Sequence, residues 1–174
     1  MVRSALGRPG SALDRGPKRF ARFIPAWSVA VASCLCLLPI VTQVGWFPDF
    51  GFLLLLAWRL LRGDVIPAWW AAPLGLFNDV VAGGPIGLSV AIWTGAMILL
   101  DLLDRRTMWR DYWVEWGLAA VLILLHDLAR WEIDGVMGAN SPFSTAVPPL
   151  VIAILAFPLA AWAASRIDRW RLGR

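Results

Sequence analysis

Asn78 and Asp79 stand side by side within Gly75–Leu88, GLFNDVVAGGPIGL, a stretch otherwise apolar enough to lie in a bilayer. A carboxylate in hydrocarbon is costly unless a partner charge, water or hydrogen-bond donors compensate it. Further along, His126, Asp127 and Arg130 place the single histidine, a second acid and a base within one helical turn. Their i,i+3 and i,i+4 spacing allows Arg130 to pair with Asp127 or His126. Asp49 opens another apolar run, Phe50–Leu61, which carries Arg59 near its end. Three uses suit such a set: a polar cluster fixing helix register, a docking or signalling site for another membrane protein, or a path for ions or protons. Asp79 is expected to be satisfied either by Arg130 or by a backbone group of an outer loop.

Other chemistries fit less well. Ser89 and His126 could serve an intramembrane serine hydrolase, which needs a nucleophile, a base and oxyanion donors. The sequence Gly87-Leu88-Ser89-Val90 lacks a glycine after the serine for a tight oxyanion turn. One histidine, with no CxxC and no HExxH, leaves too few metal ligands. Gly83-Gly84 is followed by no Lys-Ser/Thr, so it reads as a tight helix–helix turn rather than a phosphate loop. Cys34 and Cys36 point to different sides of one helix and serve as small packing residues. No catalytic residue, cofactor or metal is expected.

The elements that must position these groups are helices in lipid. The chain of 174 residues is 59% hydrophobic and only 16% charged, where a soluble domain carries about a quarter charged residues. Whole windows are apolar on every side, which makes lipid the solvent. The sequence pI of about 10.0 comes from short basic clusters between apolar runs. That is the pattern of topology determinants and argues against nucleic acid as a partner.

Residues 1–23, basic and rich in Gly and Pro, read as a disordered cytoplasmic tail near anionic headgroups. Residues 24–165 form one membrane domain with spans at 24–44, 50–61, 65–82, 86–103, 112–131 and 147–165, and 166–174 form a basic C-terminal tail. The second span is only 12 residues long, about 18 Å of helix against a hydrocarbon core of about 30 Å. It could cross with its charges reaching both interfaces, or be re-entrant. Charge placement decides. If all six cross, fifteen of the sixteen Lys and Arg lie on the cytoplasmic side and only Arg130 lies outside. If the short run does not cross, seven lie inside and nine outside. The positive-inside rule selects six spans with both termini cytoplasmic.

Helices in lipid approach through small residues. In the third span Ala68, Ala71, Ala72, Gly75, Asn78, Asp79 and Ala82 share a side, which should face the bundle. Gly87, Ala91 and Gly95 form a comparable ladder on the fourth, and Ala153, Ala156, Ala160 and Ala163/Ala164 on the sixth, where Pro158 should interrupt the hydrogen bonding. The outer loops would be 45–49, 83–85 and 132–146.

Three motifs in order, Pro48-Asp49-Phe50-Gly51-Phe52 leading a leucine run to Arg59, then Gly75-Leu76-Phe77-Asn78-Asp79, then Gly84-Pro85-Ile86-Gly87-Leu88, resemble the bacterial rod shape-determining protein MreD family. The likeness is detailed from about 46 to 88 and general over the rest. It maps the family's motif positions onto Pro48, Asp49, Gly75, Asp79, Pro85 and Gly87. The resemblance implies a non-catalytic inner-membrane protein of the cell-elongation peptidoglycan synthesis machinery. Its implied partners are MreC, the MreB filament system, RodA and a class B penicillin-binding transpeptidase. It also implies an all-α fold of six transmembrane helices in one compact bundle, similar to the substrate-binding subunits of energy-coupling-factor transporters. That likeness leaves a rival open, a small-molecule or lipid-binding membrane transport component, to be favoured by a closed pocket with converging polar groups.

Overall fold

A computed structural model describes residues 21–38, 47–104, 111–138 and 141–172. Among these the chain is all-helical, with six α-helices: α1 (Ile24–Ser33), α2 (Phe50–Leu61), α3 (Ala71–Ala82), α4 (Leu88–Asp104), α5 (Tyr112–Val136) and α6 (Val147–Leu172). Each apolar run in the sequence yields one helix. Two stretches, 112–136 and 143–172, are long and apolar enough to cross a membrane. Only 22% and 11% of their apolar windows are buried in the protein, so most of that surface faces outward, unlike the core helix of a soluble domain.

The bundle is built around α2. Every residue from Gly51 to Leu60 is buried, as expected for a helix apolar all round. It packs against α1, α4, α5 and α6, while α3 lies between α1 and α4. Trp58, Phe52, Leu55 and Leu56 are among the most deeply buried side chains. The Trp58 indole N–H donates to Ser28 Oγ of α1 at 2.9 Å, joining the two helices.

Several helix ends differ from the sequence expectation, each for a local reason. The first helix stops at Ser33, tightens into a 3-10 turn over Cys34–Leu37 and becomes extended at Leu38 (ψ 131°). Leu38 precedes Pro39, whose ring disfavours α geometry in the residue before it. The rest of the expected span, 39–44, lies outside the described residues. Val65–Pro67 is not helical; the chain enters α3 through a 3-10 turn, Ala68–Trp70, after an extended Pro67 (ψ 148°). Helix α5 runs five residues beyond the expected 131, to Val136, and ends before Gly138, which takes φ +95°. The expected loop 132–146 is shorter by that much. Helix α6 passes through Pro158 and continues beyond Ser165 to Leu172, so 166–172 extend the bundle. At the other terminus, Ala21 is already buried and the Phe23 ring lies 6.0 Å from that of Trp70. Residues 21–23 of the tail expected over 1–23 thus pack on the bundle, and 1–20 lie outside the described residues.

The small face of α3 turns inward: Ala71, Leu74, Gly75, Asn78 and Asp79 are buried, while Trp69 and Val80 are 66% exposed. On α6, Ala153 and Ala164 are buried as expected. The α4 ladder is a correction. Ala91 and Gly95 face outward, and a Cβ on Gly95 would meet nothing within 4 Å. The packed face of α4 is Ser89, Trp93, Ala96, Met97 and Leu100. Large side chains at helical spacing gain more dispersion contact there than small ones. The Trp93 ring reaches Phe52 of α2, with centroids 6.0 Å apart.

Candidate functional site

The polar residues gather at the two ends of α2. At its N-terminal end, Asp49 Oδ1 accepts the N–H of Phe52 at 3.0 Å, the helix cap that a Pro-Asp opening to an apolar run suggests. Its other oxygen accepts from Asn78 Nδ2 at 2.8 Å, and Asn78 also lies 3.4 Å from Ser89 Oγ. One amide therefore ties α2, α3 and α4 together. Pro48, just before the cap, is buried.

Asp79 is 3% exposed and finds its partners in backbone rather than in Arg130. Its two oxygens accept the N–H groups of Gly87 (2.8 Å) and Ser89 (3.0 Å), which would otherwise be free donors at the start of α4. The turn that makes this possible needs its glycines. Gly83 ends α3 at φ +67° and Gly87 takes φ +99°, conformations that side chains resist. Pro85 contributes its carbonyl to the N–H of Leu88 at 3.2 Å. Gly75 lets the two helices touch: a Cβ there would lie 2.7 Å from the Ser89 carbonyl oxygen.

His126, 2% exposed, stacks on Phe52 with centroids 4.4 Å apart and planes 16° apart. Held this way, the ring offers Nδ1 to Asp127 at 2.8 Å and Nε2 to Asp49 at 3.7 Å. The pairs of Arg130 with Asp127 or His126 that the spacing allowed are not formed. The Arg130 guanidinium instead lies by the α3–α4 turn, 3.6 Å from where a Cβ on Gly84 would stand.

Arg59 belongs to the opposite end of α2, ten residues from Asp49 and about 15 Å along the axis. Its side chain turns into the bundle and is 5% exposed. Its guanidinium binds Asp101 and the Gly63 carbonyl and lies 3.0 Å from Asp104. Next to it Arg62 pairs with Asp168 of α6 at 3.2 Å, and Asp168 with Arg171 at 2.6 Å. The acids of this end were not anticipated. The signal was present in Asp-Leu-Leu-Asp at 101–104, an i,i+3 pair that matches Arg59 and Arg62 in spacing.

A cavity of about 390 Å³ opens at the Asp49 end, between α1, the start of α2, α3, α5 and the approach to α6. Asp49, Asn78, His126, Asp127, Arg130, Trp131 and Asp134 line it, with Ser33 of α1 and Cys36 of the 3-10 turn that follows. Ser33 is 3% exposed and its Oγ has no hydrogen-bond partner. Arg130 and Asp134, one turn apart on α5, form no ion pair among the described residues.

This arrangement holds helices and can receive a small polar group, but it does not assemble a hydrolase. Ser89 Oγ meets Asn78, while both ring nitrogens of His126 face carboxylates. Among the described residues no three His, Cys, Asp or Glu stand close enough to hold a metal ion. No protein-family model, no curated protein and no solved structure matches the chain.

Proposed function

We propose that the chain is a non-catalytic, multi-pass inner-membrane scaffold and regulator of the cell-elongation peptidoglycan synthesis machinery, with six spans and both termini cytoplasmic. One observation carries the reading. The residues that resemble the MreD motifs, Asp49, Gly75, Asp79 and Gly87, meet in one interlocked joint, with Asp79 closing the α3–α4 turn through two backbone N–H groups. Side chains so fully engaged in holding helices are suited to presenting a fixed surface rather than to performing chemistry.

The partner surface fits the same idea. An apolar groove of about 520 Å³ runs between α1 and α6, walled by Trp27, Val31 and Leu35 with Leu54 of α2 as its floor. Trp27 and Val31 are 70% and 62% exposed. A single-span helix such as that of MreC could lie in it by its small or apolar face. The scaffold would thereby bias RodA and a class B penicillin-binding transpeptidase, in step with the MreB filament system. Depletion from a rod-shaped host should give rounded cells, and rods that persist through full depletion refute this use.

A second reading, a small-molecule or lipid-binding membrane transport component of a fold similar to the substrate-binding subunits of energy-coupling-factor transporters, draws on the cavity at the Asp49 end, which is open rather than closed. Its volume is of ligand size and polar groups converge on it.

A further inference from the structure

The cavity's charges fall into two sets. Asp49, Asp127 and His126 are engaged with one another and with the α2 cap. Arg130 and Asp134 line the same space, successive turns of α5 apart, without an ion pair to either. Opposite charges at i,i+4 on a helix ordinarily approach each other. Here Arg130 leans toward the Gly84 turn instead, so that a cation and an anion face one cavity with no ion pair among the described residues. Across from them the wall is formed by Ser33 and Cys36, the Ser33 hydroxyl itself being packed against Gly51 rather than turned to the cavity. Trp131 adds an aromatic wall between the two charges in sequence.

We infer that the cavity binds a small zwitterion, an anionic group on Arg130 and an ammonium on Asp134. The guanidinium offers paired donors to a carboxylate or phosphate oxygen, and the Asp134 carboxylate accepts from the ammonium. The same chemistry is found in a free amino acid or short peptide and in a phosphatidylethanolamine headgroup. Of the two functional readings, this rests on the second only in treating the cavity as a ligand site, and it leaves the scaffold role untouched.

The test uses the full chain purified in mild detergent and in nanodiscs. L-alanyl-L-alanine is the soluble probe, with its N-acetyl form (no ammonium) and its C-terminal amide (no carboxylate) as comparisons. Binding is followed by calorimetry and by the unfolding midpoint. The inferred outcome is binding of the dipeptide at least about tenfold tighter than either blocked form. Arg130→Gln should then abolish discrimination against the amide, and Asp134→Asn discrimination against the N-acetyl form. Both positions are half-buried at the cavity wall, so the variants should fold, and their unfolding midpoints without probe verify it. If the headgroup is the source, the dipeptide fails. The protein then retains phosphatidylethanolamine over phosphatidylglycerol in native mass spectrometry, and the same two variants lose that preference. Equal binding of the dipeptide and both blocked forms overturns the zwitterion while keeping a ligand site. No binding of dipeptides and no lipid preference overturns this inference and the second functional reading together, with depletion phenotypes still judging the scaffold.

Discussion

The Asp79 carboxylate reaches across the α3–α4 turn to accept the backbone N–H of Gly87 at 2.8 Å, with its second oxygen on Ser89 N–H at 3.0 Å. The acid thus acts as a side-chain substitute for a missing stretch of helix, satisfying donors that α4 cannot satisfy itself. Asp79→Ala leaves both N–H groups without an acceptor, at about 1–3 kcal/mol for each that water cannot reach. Asp79→Asn keeps one accepting oxygen and should lose about half as much. Thermal unfolding of the purified protein in detergent checks the order wild type, Asn, Ala. An Ala variant as stable as wild type would remove Asp79 from the joint.

Gly75 and Gly95 look alike in sequence, each part of a small-residue ladder, and the structure separates them. A methyl group at 75 would stand 2.7 Å from the Ser89 carbonyl oxygen and 2.8 Å from Val90 N, both backbone, whereas at 95 it would meet nothing. Gly75→Ala should force α3 from α4 and cost about 1–3 kcal/mol. Gly95→Ala should be neutral or stabilise by about 0.5–1 kcal/mol through helix propensity. Equilibrium unfolding of the two variants side by side decides it, and equal losses would mean that both ladders are packed.

Arg59 is buried while its acids are not: the side chain is 6% exposed against 40% for Asp101 and 35% for Asp104. The costs of breaking this group are therefore unequal. Arg59→Met removes the buried charge and leaves two carboxylates that water can reach, so the loss should be small. Asp101→Asn with Asp104→Asn strands the guanidinium, and breaking a buried pair in this way costs about 3–5 kcal/mol. Adding Arg59→Met to that double variant should recover most of the loss. A triple variant no better than the double would show that the acids act through something other than Arg59.

What could be read in advance was what is local. The Asp49 cap follows from an acid three residues before a free N–H, and Asp79 takes backbone rather than Arg130, at Gly87 and Ser89 just past the expected loop 83–85. The six helices were legible because their apolar runs are long and punctuated by Gly, Pro and charge. The meeting of His126 with Asp49 was not, since it depends on Phe52 holding the ring from another helix. The Arg59–Asp101 pair was hidden by reading the charges of the short second span as reaching the interfaces. On α4 the eye followed Gly87, Ala91 and Gly95, yet the face through Trp93 and Met97 won because it fills more of the core.

The orientation of the bundle can be tested through a relationship the structure supplies. Arg62 at the end of α2 pairs with Asp168 near the end of α6, which places those two helix ends on one side of the bundle. In the proposed orientation that side is cytoplasmic, with fifteen of sixteen basic residues facing inward. Trp170 is 75% exposed on α6 and Met137 is 67% exposed just beyond α5, so both accept a reporter thiol without disturbing the core. With Cys34 and Cys36 replaced by alanine, Met137→Cys should react with a membrane-impermeant maleimide in intact spheroplasts. Trp170→Cys should react only after permeabilisation. Labelling of position 170 from outside would invert the bundle, turn the proposed zwitterion cavity toward the cytoplasm and leave the scaffold reading without its outer face.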